Sequence, residues 1–206
     1  RGWWRLLWES SIPADLLSAD HDLDRLGEYR VVIAPFPLSL SEAVAAEMSR
    51  YVEGGGCLIS EAAPGRINEQ GVCNRGELSP TLAALFGVRQ IGFTMVREPD
   101  GGARWSPPER TWGEYLDAQM LAGAGPLAGH RLRANVYLQT FESLPGAEPV
   151  LMAGEAVAGV RRAVGKGQAW LLGTFVGHSG AAYRDPAIPA AVKALLAACG
   201  VTPEHE

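Results

Sequence analysis

The chain has 206 residues, 47% hydrophobic and 20% charged, with a net charge of −5. That composition supports a sizeable buried core and excludes a disordered chain; one elaborated domain over residues 1–206 is expected, since about 150 residues per domain is only a soft guide. The acidic balance, without clustered Lys or Arg, excludes a sequence-independent grip on nucleic acid, and no apolar run approaches the roughly 18 residues of a spanning helix, so neither nucleic acid nor membrane is an expected partner.

Trp3, Trp4, Leu7 and Trp8 stand near helical spacing and predict a helix over residues 3–10, ended by Pro13. Arg1 to Trp8 lacks the pattern of a signal peptide. The start at Arg1-Gly2-Trp3-Trp4, without Met, reads as a fragment of a longer chain or as the result of tag removal. Residues 14–18 predict a short strand. Asp20, Asp22 and Asp24 then form a solvated turn, since the Gly and the distant Glu of a calcium loop are missing.

Arg30-Val31-Val32-Ile33-Ala34-Pro35 is a continuous β-branched run, as in a parallel strand covered on both faces. Ser39 or Ser41 can cap the next helix, whose apolar stripe is Ala43, Val44, Met48, Tyr51 and Val52. Gly54-Gly55-Gly56 stops it, and Cys57-Leu58-Ile59-Ser60 is a buried strand. This is a βαβ crossover, expected to be right-handed.

A polar loop follows over 61–76. A helix over 78–86 has Pro80 in its first turn and Gly87 just past its end. Residues 88–97 alternate as a strand, and Asp100-Gly101-Gly102 signals a turn. Residues 103–150 are rich in Gly and Pro, with short antiparallel strands expected at 132–140 and 149–153. A hairpin runs from 157–164 through Gly165-Lys166-Gly167 to 168–174. Residues 187–198 form a last helix, ended by Gly200. The strands near 14–18, 30–35, 57–60 and 169–174 are expected to build a mostly parallel sheet in an α/β sandwich.

In an open α/β sheet, ligands favour the carboxyl ends of the strands. There the sequence reads Ser60-Glu61-Ala62-Ala63-Pro64-Gly65, with neither a nucleophilic Cys nor a Gly-x-Ser-x-Gly elbow. Cys57 stands at the opposite end of its strand and reads as a small buried hydrophobe. Ser60 and Glu61 could occupy the rim, and His178 could approach it after the late strand, making a Ser–His or Glu–His acid/base pair the enzymatic candidate. A polar rim without a reaction is the favoured reading, with no catalytic residue assigned. Glycosidic chemistry needs two carboxylates at a set separation, and Glu61, Glu69, Asp117 and Glu142 cannot be paired by sequence.

Gly165-Lys166-Gly167 lacks the rest of a phosphate loop and reads as a hairpin turn. Cys57, Cys73 and Cys199 lack zinc or disulfide spacing and read as reduced thiols of a cytoplasmic protein. His21, His130, His178 and His205 are scattered, so neither a metal nor a cofactor is expected. Trp3, Trp4 and Trp8 could stack on sugar rings, or pack on a core or a partner.

Four stretches, in this order and spacing, resemble a known family. The first is Leu7-Trp8-Glu9, Ile12-Pro13-Ala14-Asp15 and Asp22-Leu23, leading to Tyr29-Arg30-Val31-Val32-Ile33-Ala34-Pro35. The second is Tyr51-Val52-Glu53-Gly54-Gly55-Gly56-Cys57-Leu58, before Gly65-Arg66-Ile67-Asn68-Glu69. The third is Leu78-Ser79-Pro80 with Leu85-Phe86-Gly87-Val88, and the fourth Gly165-Lys166-Gly167-Gln168-Ala169-Trp170 with Leu172-Gly173-Thr174-Phe175. Together they resemble the middle, trimerisation domain of the β-galactosidases of glycoside hydrolase family forty-two.

That resemblance implies a three-layer flavodoxin-like or class I glutamine amidotransferase-like sandwich, with a mostly parallel sheet and added antiparallel strands. It implies a non-catalytic domain that follows a (β/α)8 barrel and assembles with copies of itself, as a trimer. The barrel would hydrolyse terminal β-galactosides. The chain departs from the amidotransferase pattern where Glu61 or Ala62 stands in place of the enzyme's Cys, and where Gly177-His178-Ser179 replaces His-Pro-Glu. Residues 103–148 match less clearly. An independent enzyme using Ser60, Glu61 or His178, and a sugar-binding module using the tryptophans, remain as alternatives.

Overall fold

The structure is a computed structural model that describes residues 2–68, 70–73, 78–97, 115–117, 119–182 and 186–202. Asp100-Gly101-Gly102 and Glu69 lie outside the described residues. The helices are α1 (Gly2–Glu9), α2 (Glu42–Gly54), α3 (Pro80–Phe86), α4 (Val176–Ala182) and α5 (Ala187–Ala198). The strands are β1 (Val31–Ala34), β2 (Cys57–Ser60), β3 (Val88–Arg97), β4 (Tyr115–Asp117), β5 (Met120–Gly123), β6 (Arg131–Arg133), β7 (Tyr137–Ser143), β8 (Ala147–Ala153), β9 (Ala156–Val164) and β10 (Gly167–Leu172).

All these strands join one sheet, in the order β1-β2-β10-β9-β7-β3-β4, with β8, β5 and β6 branching from β9. The crossover through α2 places β1 parallel to β2, with Val31 opposite Cys57 and Ala34 opposite Ser60. β10 lies parallel to the other side of β2, with Gln168 opposite Cys57. Besides these, only β3–β4 is parallel among the described pairings; β9, β7, β3 and the branch strands otherwise pair antiparallel. The expected mostly parallel sheet is thus corrected to a mixed one. Its main parallel part is the end β1-β2-β10, with β3–β4 as a separate parallel pair, while tight hairpins make β8–β9 and β9–β10 antiparallel.

The strand expected over residues 14–18 does not form. Leu16 is 83% exposed, while Asp15 and Ser18 are engaged locally, Asp15 by the Tyr29 hydroxyl and Ser18 by the Asp22 carboxylate. Such side-chain bonds offer the backbone an alternative to a ladder. A short apolar run beside Pro13 has little inward surface with which to outbid them.

Side-chain alternation splits the core into two clusters. Cys57 and Ile59 of β2, with Trp170 and Leu172 of β10, face a cluster closed by α1 and α5. Leu58, Ala169 and Leu171 face the other cluster, closed by α2 and α3. β2 is buried at every position because helices cover both its faces.

The helix ends follow the sequence signals. Ser41, not Ser39, caps α2 by accepting from Val44 N at 3.1 Å. Ser79 caps α3, and Gly87 ends it in the left-handed conformation at φ +65°. The β9–β10 turn is the two-residue loop Gly165-Lys166, as the hairpin reading requires. α4, the 3-10 turn Leu23–Glu28 and β5 were not anticipated from the sequence.

Amide hydrogen exchange should rank these elements. Leu58, Ile59, Trp170 and Leu171 should exchange only through global unfolding, whereas Leu16 and Leu17 should exchange orders of magnitude faster. Protection of Leu16 and Leu17 equal to that of β2 would show that residues 14–18 are a paired strand.

Candidate functional site

The carboxyl ends of β1, β2 and β10 meet at one rim, where Ser60 and Glu61 leave β2 and α4 follows β10. Glu61 is buried, 2% exposed. Its Oε1 accepts from the indole Nε1 of Trp3 at 2.7 Å and from Gly177 N at 2.7 Å. Its Oε2 accepts from Phe36 N at 3.1 Å, and the Val176 backbone N–H also donates to the carboxylate. One side chain thereby joins β2 to α1, to the segment after β1 and to the first turn of α4. Burial pushes the Glu61 carboxyl above its ordinary range, against the opposing pull of the Gly177, Trp3, Phe36 and Val176 donors.

Ser60 is also buried, and its hydroxyl donates to the Glu61 carbonyl at 3.1 Å. His178 lies one residue beyond the Gly177 amide that Glu61 binds, but its Nδ1 faces the Asn135 side-chain Nδ2 at 2.7 Å. Asn135 in turn is held by Thr174: Asn135 N donates to Thr174 Oγ1 at 2.7 Å, and that hydroxyl donates to Asn135 O at 3.2 Å. The structure therefore brings Ser60, Glu61 and His178 to one rim, with the Glu61 carboxyl oxygens taken up by Trp3, Phe36 and Gly177 and the His178 Nδ1 facing Asn135. An Asn135 amide that donates to Nδ1 leaves the imidazole proton on Nε2.

Around the rim the backbone is strained. Phe36, Ala63 and Val136 have φ of 53°, 63° and 62°, a region that non-glycine residues rarely occupy and that is least natural for β-branched Val136. Each is held by neighbours: Phe36 by Glu61, Ala63 by Gln139, whose Oε1 accepts from Ala63 N at 2.6 Å, and Val136 by Val96, whose N donates to Val136 O at 2.9 Å. Aromatic rings pack beside them, with Phe175 buried and Phe36 half exposed. Phe36 meets Phe175 edge to face at 4.4 Å between centroids, and Phe175 meets Tyr137 at 5.5 Å. Phe93 tilts on Tyr137 at 4.7 Å and carries the Arg66 guanidinium 4.0 Å from its centroid.

Glu142 is exposed and paired with Arg89 across β7 and β3, away from Glu61's donors. Asp117 is in β4, its side chain outside the described residues. Trp3 is buried, which leaves Trp4 and Trp8 at the surface of α1. A cavity of about 260 Å³ opens between Ser41, Glu42, Ser79, Leu82 and Gly65, and its lining includes none of Ser60, Glu61 and His178. Among the described residues no group of three or more His, Cys, Asp or Glu is arranged to hold a metal ion, and no helix is long and apolar enough to cross a membrane.

Sequence reasoning identified Glu61 by its place after β2 but missed its partners Trp3, Phe36 and Gly177, and missed Asn135 beside His178 and Gln139 beside Ala63. These come from distant parts of the chain, and no spacing rule joins them.

Residues 1–122 match the family model described as the beta-galactosidase trimerisation domain. The chain belongs to that family. GanA, a beta-galactosidase of Bacillus subtilis, is 28% identical over 100 residues, 48% of this chain and 14% of its own length. BglY, a beta-galactosidase of Alicyclobacillus acidocaldarius, is 28% identical over 148 residues, 72% of this chain and 19% of its own length.

Gan42B, a GH42 beta-galactosidase from G. stearothermophilus solved as a catalytic mutant, superposes with a TM-score of 0.71 at 20% identity. The match covers 98% of this chain and 26% of that one. The beta-galactosidase of Bacillus circulans sp. alkalophilus gives a TM-score of 0.71 at 17% identity, over 98% of this chain and 27% of that one. This chain of the trimerisation family thus spans about a quarter of the solved enzymes whose fold it shares.

Two substitutions test the rim. A Cβ on Gly177 would fall 2.4 Å from Trp3 Cδ1, so Gly177→Ala must push α1 off α4. We expect a loss of about 1–3 kcal/mol in urea unfolding, with altered Trp fluorescence. Unchanged stability would show that α1 is not anchored there.

Glu61→Gln keeps the shape but turns one acceptor into a donor against an N–H, a cost of about 1–3 kcal/mol. Because the folded Glu61 carboxyl is raised above its ordinary 4.5, its contribution is complete below that pH and fades as pH rises through the folded value. The deficit of Glu61→Gln should therefore narrow between acid and neutral pH in an unfolding series. A widening deficit contradicts the raised value.

Proposed function

We propose that residues 1–206 form a single, non-catalytic assembly domain with the three-layer arrangement of class I glutamine amidotransferases. Its parent is a cytoplasmic β-galactosidase that hydrolyses terminal β-galactosides through a (β/α)8 barrel in the same chain. The partners of the domain are that barrel and copies of itself, arranged as a trimer. The observation that carries this reading is the fate of Glu61: the residue at the elbow position is sealed from solvent and spends its acceptors on backbone and indole N–H groups. A group so engaged is a strut, while a nucleophile or general base must face a substrate. Helices on both faces of β2 and β10, and the family's description as a trimerisation domain, support the same reading.

A closed ring requires two different patches that fit one another, and a stable interface usually buries more than about 1,000 Å². Multi-angle light scattering over a concentration series should show self-association with a trimer as the largest closed species. A strict monomer at high micromolar concentration would remove assembly as a property of this chain by itself. The same preparation should leave a chromogenic β-galactoside intact, and turnover abolished by Glu61→Gln would replace the assembly reading with an enzymatic one.

A further inference from the structure

Cys57 opens β2 and Cys199 caps the end of α5. Both are buried in the same apolar cluster, and the Cys57 side chain lies within interaction range of the Cys199 thiol. Two further links hold their backbones together. The Arg30 carbonyl accepts from Cys57 N at 3.1 Å, while the Arg30 guanidinium Nε donates to the Cys199 carbonyl at 3.3 Å. Gln168, which lies opposite Cys57 in the parallel ladder, donates its side-chain Nε2 to the Ala198 carbonyl at 3.0 Å. The sheet register and α5 together thus hold Cys57 and Cys199 beside one another, at the end of the sheet opposite Glu61.

We propose that Cys57 and Cys199 are a redox pair that closes to an intramolecular disulfide and staples α5 to the start of β2. The oxidant is a small disulfide of the glutathione type. The Cys199 thiolate attacks one of its sulfurs, releasing one small thiol and leaving a mixed disulfide. Cys57 then attacks the Cys199 Sγ and releases the second small thiol. The protein loses two protons and two electrons, and the small disulfide gains them as two thiols.

The neighbouring Cys57 side chain and burial push the Cys199 thiol up, which keeps it unreactive in the packed fold. Reaction therefore waits on opening of the last turn of α5, where Gly200 at φ +79° ends the helix. Closing a loop between such distant positions restricts the unfolded chain and favours the folded one. Cys73, which is exposed, stands apart from the pair.

The test uses the 206-residue chain carrying Cys73→Ser, so that only the pair remains. It is incubated with oxidised glutathione under native conditions, then denatured, alkylated and digested. We expect a peptide linking Cys57 to Cys199 and an intact mass about 2 Da below the reduced chain, the loss of two hydrogens in thiol–disulfide exchange. Both cysteines should resist alkylation, and the thermal midpoint should rise by several degrees until dithiothreitol reverses it. Adding Cys199→Ser should abolish the cross-link. Full alkylation of both cysteines after native oxidation, or separate glutathione adducts without a cross-link, would overturn the proposal. So would a cross-link that forms only in denaturant.

Discussion

The rim of this domain depends on one buried carboxylate. A charge-bearing group taken out of water is costly unless donors replace its hydration. Glu61 recruits them from three separate segments: the Trp3 indole on α1, the Phe36 amide after β1, and the first turn of α4. Because every donor must point at the same two oxygens, the carboxylate fixes where α1 crosses the sheet and how closely α4 follows β10. The absence of a side chain on Gly177 follows from the same demand, since Trp3 lies against its Cα while its N–H points at Glu61.

The strain at the rim belongs to that arrangement. Phe36 can present its N–H to Glu61 with φ at 53°, and its ring then packs on Phe175. Ala63 at φ 63° turns its N–H into the Gln139 side chain. Unfavourable backbone conformations persist where the surroundings over-determine them, and they often mark active sites. Here they surround a sealed carboxylate that ties α1 and α4 to the sheet.

Much of the architecture was legible in the sequence because it is local. β1, α2 and β2 follow from one β-branched run, one capped apolar stripe and a glycine stop, and the β9–β10 hairpin follows from alternation around Gly165-Lys166. β1, α2 and β2 also lie within the residues 1–122 that match the trimerisation family. What failed was what depends on partners. Residues 14–18 have a strand-like composition, yet Leu16 faces solvent and the Ser18 N–H goes to the Asp22 carboxylate instead of a ladder. The antiparallel run of the strands near 132–140 and 149–153 and of the 157–174 hairpin was legible, but their joining β1 and β2 in one mixed sheet was not, since that is set by long-range pairings such as β3 with β7 and β7 with β9. Glu61 could be placed at the rim from its position after β2, but its role could not, since Trp3 and Gly177 lie far from it in sequence.

The central claim is that Glu61 is a sealed structural carboxyl rather than a catalytic one. Its side-chain carboxyl carbon, followed by 13C NMR through a pH titration, tests this most directly. The account predicts a midpoint displaced above the ordinary 4.5, unmoved by added glutamine or β-galactoside. A midpoint at or below the ordinary value, or one that shifts when either small molecule is added, would contradict it.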